Sequence, residues 1–386
     1  MRVKAPTSVS MNAIELTQEL IKCPSVTPAD AGALPLLAAF LEEAGFTCHM
    51  LPFGEINNLY ATIGAGAPHI MYAGHTDVVP TGPADKWTHG PFDAVIDDGI
   101  LYGRGASDMK SSVAAFAVAA AEYVKNNGTD NGTISLLITG DEEAQAIDGT
   151  IKVLGWMGEQ GIQPDVCLVG EPSNADEVGE EIRIGRRGSL TGFLTVSGKQ
   201  GHVAYPHRAD NSMPRLVKML SALDGLHIDD GTEFFPASNL EIASINVDNT
   251  ADNVIPAGGR ATFNIRFNDL WTSDTLKEKI IETLDSVDAP YEITFRVGAE
   301  SFLTQPGDWS ALVQTVVAEE TGRTPELTTR GGTSDARFIH TVCPVLEFGV
   351  LNQTIHQIDE QVAVSDIELI TKIYGKIIAR YFEQNA

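Results

Sequence analysis

The sequence predicts an α/β protein of two domains, one inserted into the other. Three observations carry this. Short apolar runs such as Ile70–Ala73, Ile134–Thr139 and Val166–Val169 are continuous rather than alternating, and helical segments separate them. That texture belongs to strands covered on both faces. After Gly188 the order becomes strand, helix, strand, strand, helix, strand, the order of a ferredoxin-like sandwich. The first texture then returns. The expected boundaries are 1–187 with 299–386 for the first domain and 188–298 for the insertion, and 386 residues suffice for two cores.

The first helix is expected to begin at Asn12, with Glu15 three residues on as in a capping box and with Ile14, Leu20 and Ile21 toward a core. A second, Leu36–Glu43, stops at Gly45, a common helix-ending residue. Asn58–Ile63 and Ile70–Ala73 follow as strands, the Ala-rich Ser111–Val124 as a helix, and Ile134–Thr139 and Val166–Val169 as further strands. The insertion supplies strands Leu190–Val196, Leu240–Val247, Arg260–Phe267 and Tyr291–Val297 and helices Ser212–Leu223 and Ser273–Leu284. A helix over Trp309–Glu320, a strand over Val345–Phe348 and a last helix opening on Ser365, with Glu368 three residues on, complete the chain.

Composition is that of a folded protein, 43% hydrophobic and 20% charged. The net charge of −26 argues against nucleic acid and anionic membrane surfaces as partners, and an anionic substrate needs local arginines. The first ten residues lack the apolar segment of a secretory signal, and no apolar stretch reaches 18 residues. The four cysteines, Cys23, Cys48, Cys167 and Cys343, form no CxxC pair, and they are expected to be buried free thiols in a cytoplasmic protein.

Metal-type side chains stand where apolar runs end. His75 and Asp77 close the run beginning at Ile70; two apart in an extended strand, they share a face. Asp108 lies in a Gly-rich turn at the start of the Ala-rich helix, either as a helix cap or as a ligand with both oxygens available. Glu142 and Glu143 follow Ile134–Thr139. Two adjacent acids repel unless a cation or shared proton compensates, and they can then divide ligand and general-base roles. Glu171 follows Val166–Val169, and His356 follows the last strand. In open α/β sheets ligands bind outside the carboxyl ends of strands. A nitrogen and oxygen donor set without thiolate suits zinc, cobalt or manganese, and its size suits two ions sharing a carboxylate.

The blocks GHTDVVP (74–80), YGRGASDMK (102–110), TGDEE (139–143), GEPS (170–173), GRRGSLTG (185–192), GHVAYPH (201–207), NVIP (253–256), GGTSDARF (331–338) and LNQTIH (351–356) resemble those of the M20 co-catalytic zinc metallopeptidases, over nearly the whole chain, and in particular the branch that cleaves N-succinyl amides. The resemblance implies a mixed-sheet zinc-peptidase catalytic domain with an inserted dimerisation and lid domain. It implies two zinc ions per subunit, with cobalt or manganese as substitutes. His75, Asp108 and Glu171 would hold one ion, and Asp108, Glu143 and His356 the other. Asp77 would orient His75 through its second ring nitrogen, Glu142 would be the general base, and His202 would reach the partner subunit's active site in a homodimer. The implied reaction is hydrolysis of N-succinyl-LL-2,6-diaminopimelate in lysine and diaminopimelate synthesis. The residues expected to bind that small, multiply anionic substrate are Arg186, Ser189, Tyr205, Asn253, Arg266, Thr333, Arg337 and Asn352.

Two departures from the pattern stand out: Ala251–Asp252 where a small polar residue and asparagine are common, and a long acidic stretch at Asp176–Glu181. The nearest rival reading is a related N-acyl-amino-acid deacylase such as acetylornithine deacetylase, whose metal residues would be the same. A non-enzymatic protein on the same scaffold would be expected to lack a ligand or Glu142, and all are present.

Overall fold

The computed structural model describes residues 11–385, so the expectation about the first ten residues lies outside the described residues. The chain forms two compact units. One takes the described residues through Ile184, then Thr304–Thr328, then the residues from Ser334 onward; the other takes Gly185–Leu303 and Thr329–Thr333.

The first unit opens with a helix over Ala13–Ile21. The Asn12 carboxamide oxygen accepts the Ile14 and Glu15 amides at 2.9 and 3.0 Å, and Glu15 returns the favour to the Asn12 amide at 2.9 Å. Such a cap contributes about 1 kcal/mol. The buried stripe is Ala13, Leu16, Thr17, Leu20 and Ile21, and Ile14 sits beside it, half-buried. The next helix spans Ala33–Glu43, three residues earlier than expected, because the Asp30 carboxylate caps it from outside by accepting the Gly32 and Leu34 amides.

The sheet of this unit has eight strands in the order Thr47–Met50, Leu59–Gly64, Thr133–Thr139, His69–His75, Val166–Val169, Val345–Glu347, Glu181–Arg183, Glu326–Thr328. It is mixed. Its four central members, Thr133–Thr139, His69–His75, Val166–Val169 and Val345–Glu347, are mutually parallel, with His75 beside Thr139, Ala73 beside Val169 and Val169 beside Glu347. Their carboxyl ends therefore lie along one edge. The His75 strand is longer than its apolar run suggests. Gly74 lies within it because the Asp108 segment packs there: a Cβ would stand 2.6 Å from the Met109 methyl and 3.2 Å from Val113. Only glycine admits that approach.

The Ala-rich helix, Ser111–Asn127, is buried on nearly every side, and its Phe116 stacks on Tyr72 with centroids 4.3 Å apart. The last helix, Val364–Asn385, buries Ile370, Tyr374 and Ile377, and Tyr374 donates to the Phe348 carbonyl at 2.7 Å. In this sheet Thr47–Met50 escaped the pattern, as did Glu181–Arg183 and Glu326–Thr328, since three or four residues carry too little periodicity. The acidic stretch before the latter two is ordered by Asn174, whose side-chain oxygen accepts the amides of Gly179, Glu180 and Glu181. Cys167 and Cys343 are buried, Cys23 and Cys48 half-buried, and all four are free thiols.

The second unit holds a four-stranded antiparallel sheet in the order Asn239–Asn246, Gly258–Phe267, Gly188–Ser197, Glu292–Ala299. With helices Met213–Asp224 and Ser273–Asp285, the chain order is βαββαβ. Leu190, Leu194, Phe263 and Ile265 of the sheet form one core with Leu216, Leu220, Leu276 and Ile280 of the helices. Gly192 makes room for its cross-strand partner Phe263, whose ring atom Cζ would stand 2.2 Å from an added Cβ. This unit is larger than the expected 188–298. Gly185–Arg186 pairs with Phe302–Leu303 as a two-stranded ribbon, and Thr329 and Gly332 bond within the unit, to the Phe234 carbonyl and from Arg186 respectively. Tertiary hydrogen bonds, invisible in local pattern, recruited these residues.

Asp229 organises the loops of this unit. One carboxylate oxygen accepts the Gly231 and Ser238 amides and Asn268 Nδ2, and the other accepts Trp271 Nε1 at 2.9 Å. Burial works to raise its pKa, but the Ser238 hydroxyl, the Ser238 and Gly231 amides and the Trp271 indole outweigh burial and hold it below the usual range. A depressed folded value means the stabilisation is present above the unfolded pKa and fades as pH falls through the folded one. Asp229→Ala is expected to lower unfolding stability by about 1–3 kcal/mol at neutral pH. The deficit against the parent should shrink on acidification in paired denaturant melts.

Candidate metal centre

The edge formed by the four parallel carboxyl ends gathers the acids and histidines. His75 ends its strand and is buried. Its Nδ1 donates to the main-chain carbonyl of Asp77 at 2.9 Å, since a carbonyl can only accept, and Nε2 is thereby aimed at Asp108 Oδ1, 3.1 Å away, with Glu171 Oε1 at 3.8 Å. The Asp77 carboxylate stands 3.7 Å from the same Nδ1 and instead accepts the amides of Glu142 and Glu143 at 3.3 and 3.1 Å. Asp77 thus orients His75 by its backbone and the Glu142–Glu143 turn by its side chain. Burial raises the Asp77 carboxyl to about 6 against the pull of His75 and these amides.

Asp108 does not cap the helix that follows. It sits in the turn Ala106–Lys110 with extended dihedrals, φ −122° and ψ 95°. That turn is fastened by Lys110, whose buried Nζ donates to the Leu20 and Cys23 carbonyls at 2.9 Å. The second oxygen of Asp108 faces the other histidine, with His356 Nε2 3.5 Å from Oδ2 and 2.9 Å from Glu143 Oε1. His356 adopts a left-handed backbone, φ 61°, on the loop beyond Val345–Glu347. Such a conformation is uncommon outside glycine and marks a position held by its surroundings.

Two groups of donor atoms, each within 4.8 Å of one another, result: His75 with Asp108 and Glu143, and His75 with Glu142 and Glu171. Burial and then the charge of Glu171 push the Glu142 carboxyl well above its ordinary value. Burial also disfavours a charged Asp108, yet the hydrogen bonds from His356 and His75 outweigh it and hold that carboxyl low. His356 is raised to about 10 by its bonds to Asp108 and Glu143. Divalent cations fit this donor set: carboxylates and imidazoles packed at 2.9–3.8 Å, with the two oxygens of one carboxylate turned to different histidines.

Of the residues expected to bind substrate, Arg337 and Asn352 belong to this unit. Asn352 is pinned by its amide to the Asn174 carbonyl, and the Arg337 guanidinium lies over the Phe338 ring. The others form two groups in the second unit. Arg186 is buried and donates to the Gly332 carbonyl beside Thr333, and Ser189 lies directly across the sheet from Arg266. Burial and the nearby Arg266 together lower the pKa of Arg187, so two guanidinium groups lie close together here. Separately, His202 pairs with Val254, Val203 donates to the Asn253 carbonyl, and the Tyr205 ring is 5.6 Å from that of His202. Asp252 is exposed, on a turn closed by Asn249.

Three buried residues next to the centre, Arg104, Glu360 and Asp335, were not singled out from the sequence. Arg104 and Glu360 form an ion pair at 2.6 Å, and burial raises the Asp335 carboxyl above its ordinary value. Arg104 and Asp335 lie inside the blocks at 102–110 and 331–338 and Glu360 lies outside every block, and only the fold puts each beside Asp108 or the Glu142 turn.

An α/β unit with carboxylates and imidazoles at the ends of parallel strands defines the class, a metallohydrolase. The model of peptidase family M20/M25/M40 matches residues 71–380, and the chain belongs to that family. The chain is 50% identical over 382 residues to succinyl-diaminopimelate desuccinylase of Beijerinckia indica subsp. indica, covering 97% of this chain and 100% of that one. Its fold is similar to an M20 family metallo-carboxypeptidase from Sulfolobus solfataricus, with a TM-score of 0.77 at 16% identity over 97% of this chain and all of the other. It is also similar to a dinuclear metal-binding M20 peptidase of Bacillus subtilis, with a TM-score of 0.71 at 15% identity over 96% and 98% of the two chains. No described helix is long and apolar enough to cross a membrane.

Metal analysis by mass spectrometry tests the shared carboxylate. Asp108→Ala is expected to lose both ions, whereas His356→Ala should retain one per subunit.

Proposed function

We propose that this chain hydrolyses the amide of N-succinyl-LL-2,6-diaminopimelate to succinate and LL-2,6-diaminopimelate, a step of lysine and diaminopimelate synthesis in the cytoplasm. The observation that carries the substrate is the 50% identity, over nearly the whole of both chains, to the Beijerinckia desuccinylase. The arginines of the second unit support it. In a chain of net charge −26, Arg186, Arg187 and Arg266 gather close to Ser189 and Thr333, and guanidinium groups hold carboxylates by paired hydrogen bonds. With Tyr205, Asn253, Arg337 and Asn352 they would bind the substrate's carboxylates and amine.

His75, Asp108 and Glu171 would hold one ion and Asp108, Glu143 and His356 the other, with zinc the natural choice for this donor set and cobalt or manganese able to substitute. The ions, when bound, would polarise the succinyl carbonyl and acidify a water molecule. The remaining work falls to side chains. Glu142 takes a proton from water as the water oxygen attacks the succinyl carbonyl carbon. Its pKa, raised by burial and by Glu171, suits a group that must accept a proton and give it up again. When the carbon–nitrogen bond breaks, Glu142 returns the proton to the leaving amine, so one water is consumed and an acid and an amine are released. Asp77 holds the Glu142–Glu143 turn in place through their amides.

The chain would act as a homodimer through the second unit. Its strand Asn239–Asn246 is an edge of the sheet and exposes Ile245, the kind of edge that pairs with another chain. In that assembly His202 would donate to the developing oxyanion of the partner's substrate. Its Nδ1 accepts the Ala204 amide at 3.0 Å, which places the ring proton on Nε2.

Glu142→Ala is expected to keep its metal and lose turnover by about 10²–10⁴-fold; near-parental kcat with full zinc would refute the general-base role. His202→Ala should cut kcat by about 10²–10³-fold with metal content unchanged. The substrate itself is tested by assaying N-succinyl-LL-2,6-diaminopimelate and N-acetyl-ornithine in parallel at defined zinc loading. Preference for the acetylated compound would replace this reading with that of the related deacylase.

A further inference from the structure

We infer that Glu360 is a positioning residue for the metal centre: it fixes the turn that presents Asp108 and ties that turn to the loop carrying His356. The inference rests on the two-ion reading proposed above and extends it to a residue outside the ligand set.

Glu360 is fully buried. One carboxylate oxygen, Oε1, accepts three main-chain amides of the Asp108 turn, those of Gly105 at 3.1 Å, Ser107 at 3.0 Å and Asp108 itself at 3.1 Å. The other, Oε2, accepts Arg104 Nη1 at 2.6 Å, and the Glu360 carbonyl accepts the Gly103 amide at 2.9 Å. Arg104 is itself buried, and its Nη2 reaches the Pro80 carbonyl at 3.3 Å, on the segment that leaves His75 and Asp77. Glu360 lies four residues beyond His356. The loop between them is closed by Thr354, whose hydroxyl bonds Gln361 in both directions, and by Asp359, which accepts the Thr88 amide and hydroxyl.

Three amides converging on one oxygen define where the Asp108 backbone lies, and hence which way its two carboxylate oxygens face. The same carboxylate is rooted in the loop that brings His356 to Oδ2. His75 is held independently, by its strand and the Asp77 carbonyl. Loss of Glu360 should therefore fall mainly on the ion held by Asp108, Glu143 and His356. A buried ion pair that served only the fold would lower stability and treat both ions alike. An amide at position 360 cannot replace the carboxylate, because its NH₂ would face either Arg104 or the three N–H groups, all donors.

The test is titration of metal-free parent, Glu360→Gln and Arg104→Gln proteins with Zn²⁺ alone by calorimetry. Co²⁺ absorption spectra read each site's geometry, and circular dichroism confirms folding. The parent is expected to bind two ions. Glu360→Gln should bind one with near-parental affinity and the second about 10–100-fold more weakly, the range typical of lost partners behind metal ligands. Arg104→Gln leaves Glu360 its three amides and should weaken the same ion by a smaller factor; it carries the test if Glu360→Gln does not fold. Unchanged binding of both ions, or equal weakening of both, overturns the inference while leaving the two-ion reading intact. A parent that binds fewer than two ions overturns that reading, and this inference with it.

Discussion

One carboxylate facing two imidazoles is the constraint around which the first unit is organised. Asp108 places Oδ1 against His75 and Oδ2 against His356, a strand-end residue and a loop residue on different sides of the inserted segment. The second contact cannot form unless the chain after the insertion rejoins the sheet begun before it. The parallel pairing of Val345–Glu347 with Val166–Val169 achieves this, and it carries the His356 loop to the edge where His75 and Glu171 already stand. The Asp108 turn arrives from a third direction, on a buried Ala-rich helix that presses Met109 and Val113 against Gly74.

Electrostatics make the arrangement expensive and so informative. Asp77, Asp108, Glu142, Glu143 and Glu171 crowd a region from which water is largely excluded, where an unpaired charge is costly. The outcomes differ by position. Asp108 keeps its charge because two imidazoles face it, whereas Glu142, next to Glu171, is driven toward the protonated form. Carboxylates pushed apart in this way are suited to different tasks, one to hold a cation and one to move a proton. The basic counterpart is elsewhere in the chain, where Arg187 and Arg266 lie close enough to disturb one another.

Much of this was legible from local pattern. The Asn12 capping box, the apolar strands that end in His75 and Glu171, and the βαββαβ order of the second unit all follow from periodicity and residue type. Asp108 was ambiguous, since an acid at a helix start reads equally as a cap, and extended dihedrals within the preceding turn resolved it. The short strands Glu181–Arg183 and Glu326–Thr328 left no pattern, and neither did the capture of Thr329–Thr333 by the second unit, because pairing with distant residues alone creates them.

By itself the sequence determined the kinds of donor atom, their placement at the ends of apolar runs and, through its motif blocks, the family. Residue type and spacing are local properties, and they survive in one dimension. Only the tertiary structure decided which oxygen of Asp108 meets which histidine. It alone showed that Asp77 orients His75 by its carbonyl rather than its carboxylate, and that Glu360 and Arg104 lie beneath the turn. Those facts depend on the direction of single bonds between segments far apart in the chain, and the packing of the sheet and its helices sets that direction.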